Sequence, residues 1–427
     1  MLQRIAHSLI LASLISFTPT YLQAQTADLL QKWKFKPIVG IQLWGSHSNG
    51  GAYFEDSLQQ YLPLDHRLNV EIRRTRVGFS VQPMERLSFR WVSALDNMGR
   101  DVYSGLNGGA NNGAFPNLGI WDCNLQWQCL PDQQSLFLTT GYFGPHLGRE
   151  SFTSAFNVTS LEKSWSQNYV RRHLVGTGPG RTLGVNLGGQ FYEENRFFNF
   201  SYNLGGFSPL LTGAVSNTSG RQAAALWVGH ATLHFGEPES PTYSRGHRIN
   251  YFGKRRGLSI GFGGSHQDRT DLFTLSQSTS ADFLFNYDAL NLDGSLTYLW
   301  RENEQRQRPE ARVLHLRASI NFYFQYQGKQ RVLEPMILLT DYQGEMQAEG
   351  QAVAASVGML TGLDRLIDIG FNYYLTPKFK FGLHYHLRRG SLGEAKAGSP
   401  INNYYFQGGA GPIQRPNWLG FGVQLQL

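Results

Sequence analysis

After residue 24 the chain has no stretch approaching the roughly 18 consecutive apolar residues that a membrane helix needs, and its mean hydropathy is −0.32. Helical membrane spans are therefore excluded. Helical periodicity is almost absent as well. The basic residues form no long tract and no nucleic-acid module, which argues against a nucleic-acid partner. No nucleophile motif and no metal-ligand spacing stands out, so we expect no catalytic residue, no metal and no cofactor. Cysteine is nearly absent, with only Cys123 and Cys129.

What is present points to strands. Aromatic residues make up 13% of the 427 positions and glycine fills 48. That balance suits short strands, tight turns and aromatic girdles at a membrane interface, although a large secreted β-sandwich or solenoid shares it. Residues 1–24 have the three parts of a secretory signal: Arg4, an apolar stretch from Leu9 to Phe17, and small Ala24 before Gln25. Cleavage after Ala24 is expected. The formal charge of +7 falls to +6 without the signal, because one arginine and no acid leave with it. An excess of that size fits either an anion-attracting interior or a basic surface.

From Pro37 onward, about ten residues of alternating apolar and polar side chains are followed by a turn rich in Gly, Asn, Asp or Pro, again and again. Leu419, Phe421, Val423, Leu425 and Leu427 alternate with Gly420, Gly422, Gln424 and Gln426. A terminal strand of this kind resembles the outer-membrane assembly signal, with Leu427 in place of the usual Phe. The rhythm recurs in Phe198–Leu204, Leu314–Phe324, Ile367–Leu375 and Phe379–Leu387. About sixteen such segments fit the mature chain at roughly 25 residues per strand and connection. In hydrocarbon every backbone N–H and C=O must be paired, so the sheet must close. The expectation is all-β: one transmembrane antiparallel barrel of about sixteen strands over residues 25–427, wide enough to admit water.

If the apolar set faces lipid, the intervening positions face the lumen. That assignment turns Arg74, Arg76, Arg90, Arg317, Lys380, His384, His386 and Arg388 inward, where guanidinium groups favour oxyanions. Paired with acids such as Asp368, Asp282 or Asp96 they would confer little selectivity. The longest stretch without strand pattern, Asn97 to Asp132, is expected to be a loop lying inward or over the rim. It holds Cys123 and Cys129, for which a disulfide is favoured over a metal site in an oxidising compartment.

Arg73-Arg74-Thr75-Arg76-Val77-Gly78-Phe79 followed by Leu87-Ser88-Phe89-Arg90 resembles the early hairpin of the phosphate-selective porin family, porins O and P. Gly141-Tyr142-Phe143-Gly144-Pro145-His146-Leu147-Gly148-Arg149-Glu150 is similar to that family's Gly-Gln-Phe-Lys-x-Pro-Phe-Gly-x-Glu segment. Leu161-Glu162-Lys163-Ser164 resembles its Glu-Arg-Ser, with Gly180-Arg181 and Gly184-Val185 after it. The motifs cover roughly residues 70–190. The resemblance implies a sixteen-stranded, homotrimeric outer-membrane barrel whose basic constriction passes phosphate or other small anions. Gly144 stands where the family has Lys, and Lys163 where it has Arg, which leaves phosphate preference open.

Two other classes compete. His384 and His386 share a face and Asp368 could lie on the neighbouring strand, as in barrel hydrolases, but no nucleophile accompanies them. A non-conducting barrel serving as a scaffold for surface or secretion partners would have its lumen filled by loops.

Overall fold

The computed structural model describes residues 29–104, 118–193, 196–209, 220–390, 406–407 and 411–427. The signal sequence expected at 1–24 lies outside them.

Alternation becomes sheet through sixteen consecutive strands. They are β1 (Lys36–Asn49), β2 (Arg67–Met84), β3 (Leu87–Met98), β4 (Gly119–Gln128), β5 (Phe137–Phe143), β6 (Thr182–Phe191), β7 (Phe198–Ser208) and β8 (Leu226–Gly236). Then follow β9 (Gly257–Gln267), β10 (Leu275–Tyr287), β11 (Leu290–Glu302), β12 (Glu310–Ile320, continued by Phe322–Tyr326), β13 (Lys329–Gln343), β14 (Leu363–Thr376), β15 (Phe379–Gly390) and β16 (Asn417–Gln426). Each pairs antiparallel with its sequence neighbours, and β1 pairs with both β2 and β16, so the sheet closes into a cylinder. Closure pairs each of the sixteen barrel strands on both sides.

The strand β10 shows why the wall has two chemistries. Ser276, Ser278, Ser280, Asp282 and Asn286 are buried toward the interior, and Phe283 and Phe285 alternate with them on the outside. Elsewhere large apolar side chains are exposed on the outer face, among them Leu316, Ile320, Ile337, Ile369, Phe371, Leu383, Tyr385 and Phe421. A water-soluble barrel would bury this set; here it is displayed and the polar set enclosed, the inversion that hydrocarbon demands.

Tight turns at 85–86, 288–289, 327–328 and 377–378 close one end, and the longer connections leave mainly from the other. At that second end Ala52–Glu55, Gln60–Pro63 and Gly411–Gln414 form a small extra sheet.

Among the described residues, two connections fold into the lumen. The first, residues 144–181 between β5 and β6, carries helices α1 (Arg149–Phe152) and α2 (Ser166–Val175). The second, residues 237–256 between β8 and β9, enters from the opposite end. The two meet: Arg149 is paired with Glu239 at 2.5 Å, and the Ile249 N–H donates to the Asn157 carbonyl at 3.2 Å. Neither inward connection is the expected one. Within 97–132, Gly119–Gln128 is a strand in full register with β3 and β5. Its alternation, with Leu125 and Trp127 outward and Asn124 inward, is shifted by an irregularity that hid it.

That strand also corrects the disulfide. Cys123 and Cys129 are both free. Six residues of extended chain separate them by roughly 20 Å, against the roughly 7 Å limit between α-carbons for a bridge.

Candidate passage and its basic lining

The infolded segment 144–181 is held by apolar packing and by charge. Leu147, Val170, Leu174 and Val175 pack against Phe143, Phe207, Leu226 and Val228. Trp165 and Tyr169 join Leu299, Val313, Tyr342 and Leu366, while Leu161 sits between Trp44 and Trp418. Gly263 makes close approach possible at β9, because a side-chain carbon there would lie 1.9 Å from the Leu147 carbonyl oxygen. Gly180, with φ of +62°, lets the Arg171 stem pass, since a methyl would lie 2.3 Å from its Cγ.

Polar anchors complete the attachment. Arg317 donates to Glu150 at 3.0 Å, Ser164 bonds Thr340 at 2.8 Å, and Lys380 donates to the Val158 carbonyl at 2.9 Å. Glu162 receives both Arg73, at 2.6 Å, and Arg74. Burial alone would raise the Glu162 carboxyl, but Arg73 and Arg74 outweigh it and hold it at about 2.

Between this packing and the wall of β1 to β5, a cavity of about 530 Å³ remains open, with Phe143, Trp165, Leu174 and Val175 on its packed side. It is lined from Ser88 at one end of β3 to Asp96 at the other, roughly 26 Å of strand. Its wall supplies Arg73, Arg74, Arg76 and Arg90, and the connections supply Lys163, Arg171, Arg181 and Arg245. Asp96, Asp122 and Glu162 are the carboxylates in the same lining, so among the described lining residues the basic side chains outnumber the acidic ones by five.

Two bulges concentrate that charge. In β2 the register steps from Gln42↔Arg74 to Leu43↔Ile72, which leaves Arg73 unmatched, and Arg73 and Arg74 both turn inward. In β4 the step between Val92↔Asp122 and Ser93↔Ile120 leaves Trp121 unmatched, so Trp121 and Asp122 both line the cavity. Bulges re-aim side chains in this way. The Trp121 ring takes Arg181 at 3.8 Å, Arg76 at 4.0 Å and Arg171 at 6.0 Å, a cation–π stack that orders the guanidiniums.

The cations divide into paired and unpaired. Arg76 binds Asp96 at 2.5 Å, and Arg90 and Arg181 share Asp122 at 3.6 Å each. Lys163, Arg171 and Arg245 have no ion pair among the described residues; Arg171 donates to the Ser151 carbonyl and Arg245 to Asn124. Burial, then the charge of Arg171, pushes the Lys163 ammonium well below the ordinary lysine range. Burial, then Arg181, does the same to Arg171. Both are cations that a mobile anion would stabilise.

Of the eight basic residues selected from sequence, Arg74, Arg76 and Arg90 line this cavity. The other five point inward but meet the infolded segment. Arg317 and Lys380 anchor it as above, and Arg388 pairs with Asp364 and covers Trp165. His384 bonds Asp368 at 2.8 Å and Asn372, and His386 stacks on Trp418 at 3.8 Å. Asp368 does lie opposite His386 on β14, yet no hydroxyl or thiol bonds either imidazole among the described residues, so the trio is packed wall. The set selected by alternation omitted Arg73, Trp121, Lys163, Arg171, Arg181 and Arg245, of which Arg73, Lys163 and Arg181 stood only within the family-like motifs. Arg73 and Trp121 sit at bulges that break the two-residue period, and the rest lie on connections, where alternation carries no information.

No family model and no curated protein matches the chain. Solved structures do match along almost its whole length. OprB of Pseudomonas putida superposes with a TM-score of 0.58 at 9% identity, covering 94% of this chain and 96% of its own. The anion-selective porin of Comamonas acidovorans gives 0.53 at 9%, covering 92% and 99%. OmpF of Salmonella typhi, solved with daunomycin, gives 0.53 at 10%, covering 92% and 97%. The fold is thus that of outer-membrane porins, a closed sixteen-stranded antiparallel barrel, and the likeness extends to porins generally without singling out the phosphate-selective family.

Proposed function

We propose that the protein is an outer-membrane porin, exported by its signal sequence, whose off-centre passage conducts small polar solutes with preference for anions. The observation that carries this reading is the excess of five basic over acidic side chains around the cavity, with Lys163, Arg171 and Arg245 in no ion pair among the described residues. In a narrow aqueous path such an array attracts anions through its field and offers forked donors to oxyanions. Phosphate is one candidate solute, and the homotrimer implied by the porin O and P resemblance belongs to the same proposal.

Planar-bilayer recording tests it. Discrete conductance steps, with a reversal potential in a salt gradient displaced toward the anion equilibrium potential, are the expected result. Steps with a cation-side potential would remove the anion preference. Complete silence of correctly folded protein would favour a scaffold barrel, a reading supported by the two connections that fold into the lumen and meet there.

A further inference from the structure

The outer wall carries charge at one place where the fold gives no reason for it. On the outside of β12 to β15, Arg312, Asp341, Arg365 and Arg389 form a lateral row at the end bearing the long connections. The strands below the row are apolar on the same face: Leu314 and Leu316 under Arg312, Ile367 and Ile369 under Arg365, Leu387 and Tyr385 under Arg389. Tyr298, the outward cross-strand partner of Arg312, sits at the same height and is 47% exposed, as an interfacial aromatic would be.

The row does not balance its own charge. Asp341 divides its two oxygens between Arg365, at 2.5 Å, and Arg312, at 3.2 Å. Arg389 is exposed and has no hydrogen bond or ion pair among the described residues. It stands directly across from Arg365 in the β14–β15 register. Like charges facing each other across strands repel, and a bare guanidinium beside hydrocarbon is costly except near the interface. Packing does not explain the arrangement: both side chains point away from the lumen, and Asp341, the carboxylate that pairs with Arg365, is shared with Arg312.

We propose that Arg365 and Arg389, flanked by Arg312, bind a phosphorylated lipid headgroup of the outer leaflet. Two forked donors side by side at the top of the apolar band match a phosphate monoester whose acyl chains descend over Ile367, Ile369, Leu387 and Tyr385. Long connections mark the external end of such barrels, which places the row in the outer leaflet. The inference rests on the barrel being membrane-embedded; it does not rest on conduction.

The test uses full-length folded protein in neutral detergent, with bound lipid counted by native mass spectrometry and affinity read by titration. Three probes are compared: lipid A carrying both phosphates, dephosphorylated lipid A, and inorganic phosphate. The wild type is expected to retain the phosphorylated lipid only. Arg365→Gln with Arg389→Gln should weaken it about tenfold or more, the loss of one to two charge-assisted hydrogen bonds. Arg389→Glu places a carboxylate opposite Arg365, so it should unfold at a higher temperature in detergent alone and still lose the lipid. A merely structural role would move both readouts together. Equal retention of dephosphorylated lipid A, or unchanged binding by the double variant, overturns the proposal. Conductance and reversal potential should match wild type in all variants, so failure here is separate from failure of the porin reading.

Discussion

Arg317 on β12 donates to Glu150 of the infolded segment at 3.0 Å, joining residues 167 positions apart in a site closed to solvent. Asp293 lies 3.5 Å from the same guanidinium and His315 lies 3.2 Å from Asp293. The group fastens the lumen filling to the wall through charge that cannot reach water, and such a bond is strong chiefly because breaking it strands its partner.

Arg317→Met should therefore destabilise the folded barrel by about 3–5 kcal/mol, the cost of an unpaired buried carboxylate. Pairing it with Glu150→Gln should cost less than the sum of the two single changes. The temperature at which the barrel loses its compact electrophoretic migration measures both.

Glu162 predicts an acid threshold. Its carboxyl is held at about 2 in the folded protein, below the roughly 4.3 of a free glutamate. A depressed carboxylate stabilises the fold above the unfolded value and loses that contribution as pH falls through the window between them, here roughly 3 kcal/mol between about pH 4 and pH 2. Protease cleavage within 144–181 should rise across that window, and Glu162→Gln should raise it already at neutral pH.

Lys163 and Arg171 carry the anion preference directly. Lys163→Met and Arg171→Met should each reduce the anion-to-cation permeability ratio severalfold, while changes to Arg388, which is packed over Trp165, should act on stability instead. Because burial depresses the Lys163 ammonium, it gains its proton only as pH falls below the usual lysine range of about 10. Anion preference of the wild type should rise on acidification, and Lys163→Met should flatten that part of the profile.

Both thiols should react after unfolding without reductant. Cys123 and Cys129 are free in the folded chain, so mass spectrometry after alkylation should show two adducts; a single population lacking both would contradict the strand β4.

The barrel was legible because its period is strict. In β14, β15 and β16 the outward residues read from sequence are the outward residues of the structure, and Arg74, Arg76 and Arg90 reached the cavity by the same rule. The site was less legible because its decisive residues escape that rule. Trp121 and Arg73 occupy bulges, and a one-residue irregularity has no signature in hydrophobic pattern. Lys163 and Arg171 lie on a connection whose inward course depends on Leu147, Leu161 and Trp165 finding apolar partners inside the wall. A pattern rule that reserves the inner face for polar residues cannot anticipate Val228, Leu299 or Val313 there.

The bulge at Arg73 has one more implication. Counting from Asn69 and Glu71 below it, or from Arg74 and Arg76 above, the inward side chains keep step on either side of the bulge. Inserting or deleting that one amino acid adds or removes an inner charge and turns neither half of the strand inside out. A wall of this construction can be retuned electrically by single-codon indels, with its hydrocarbon contact surface left untouched.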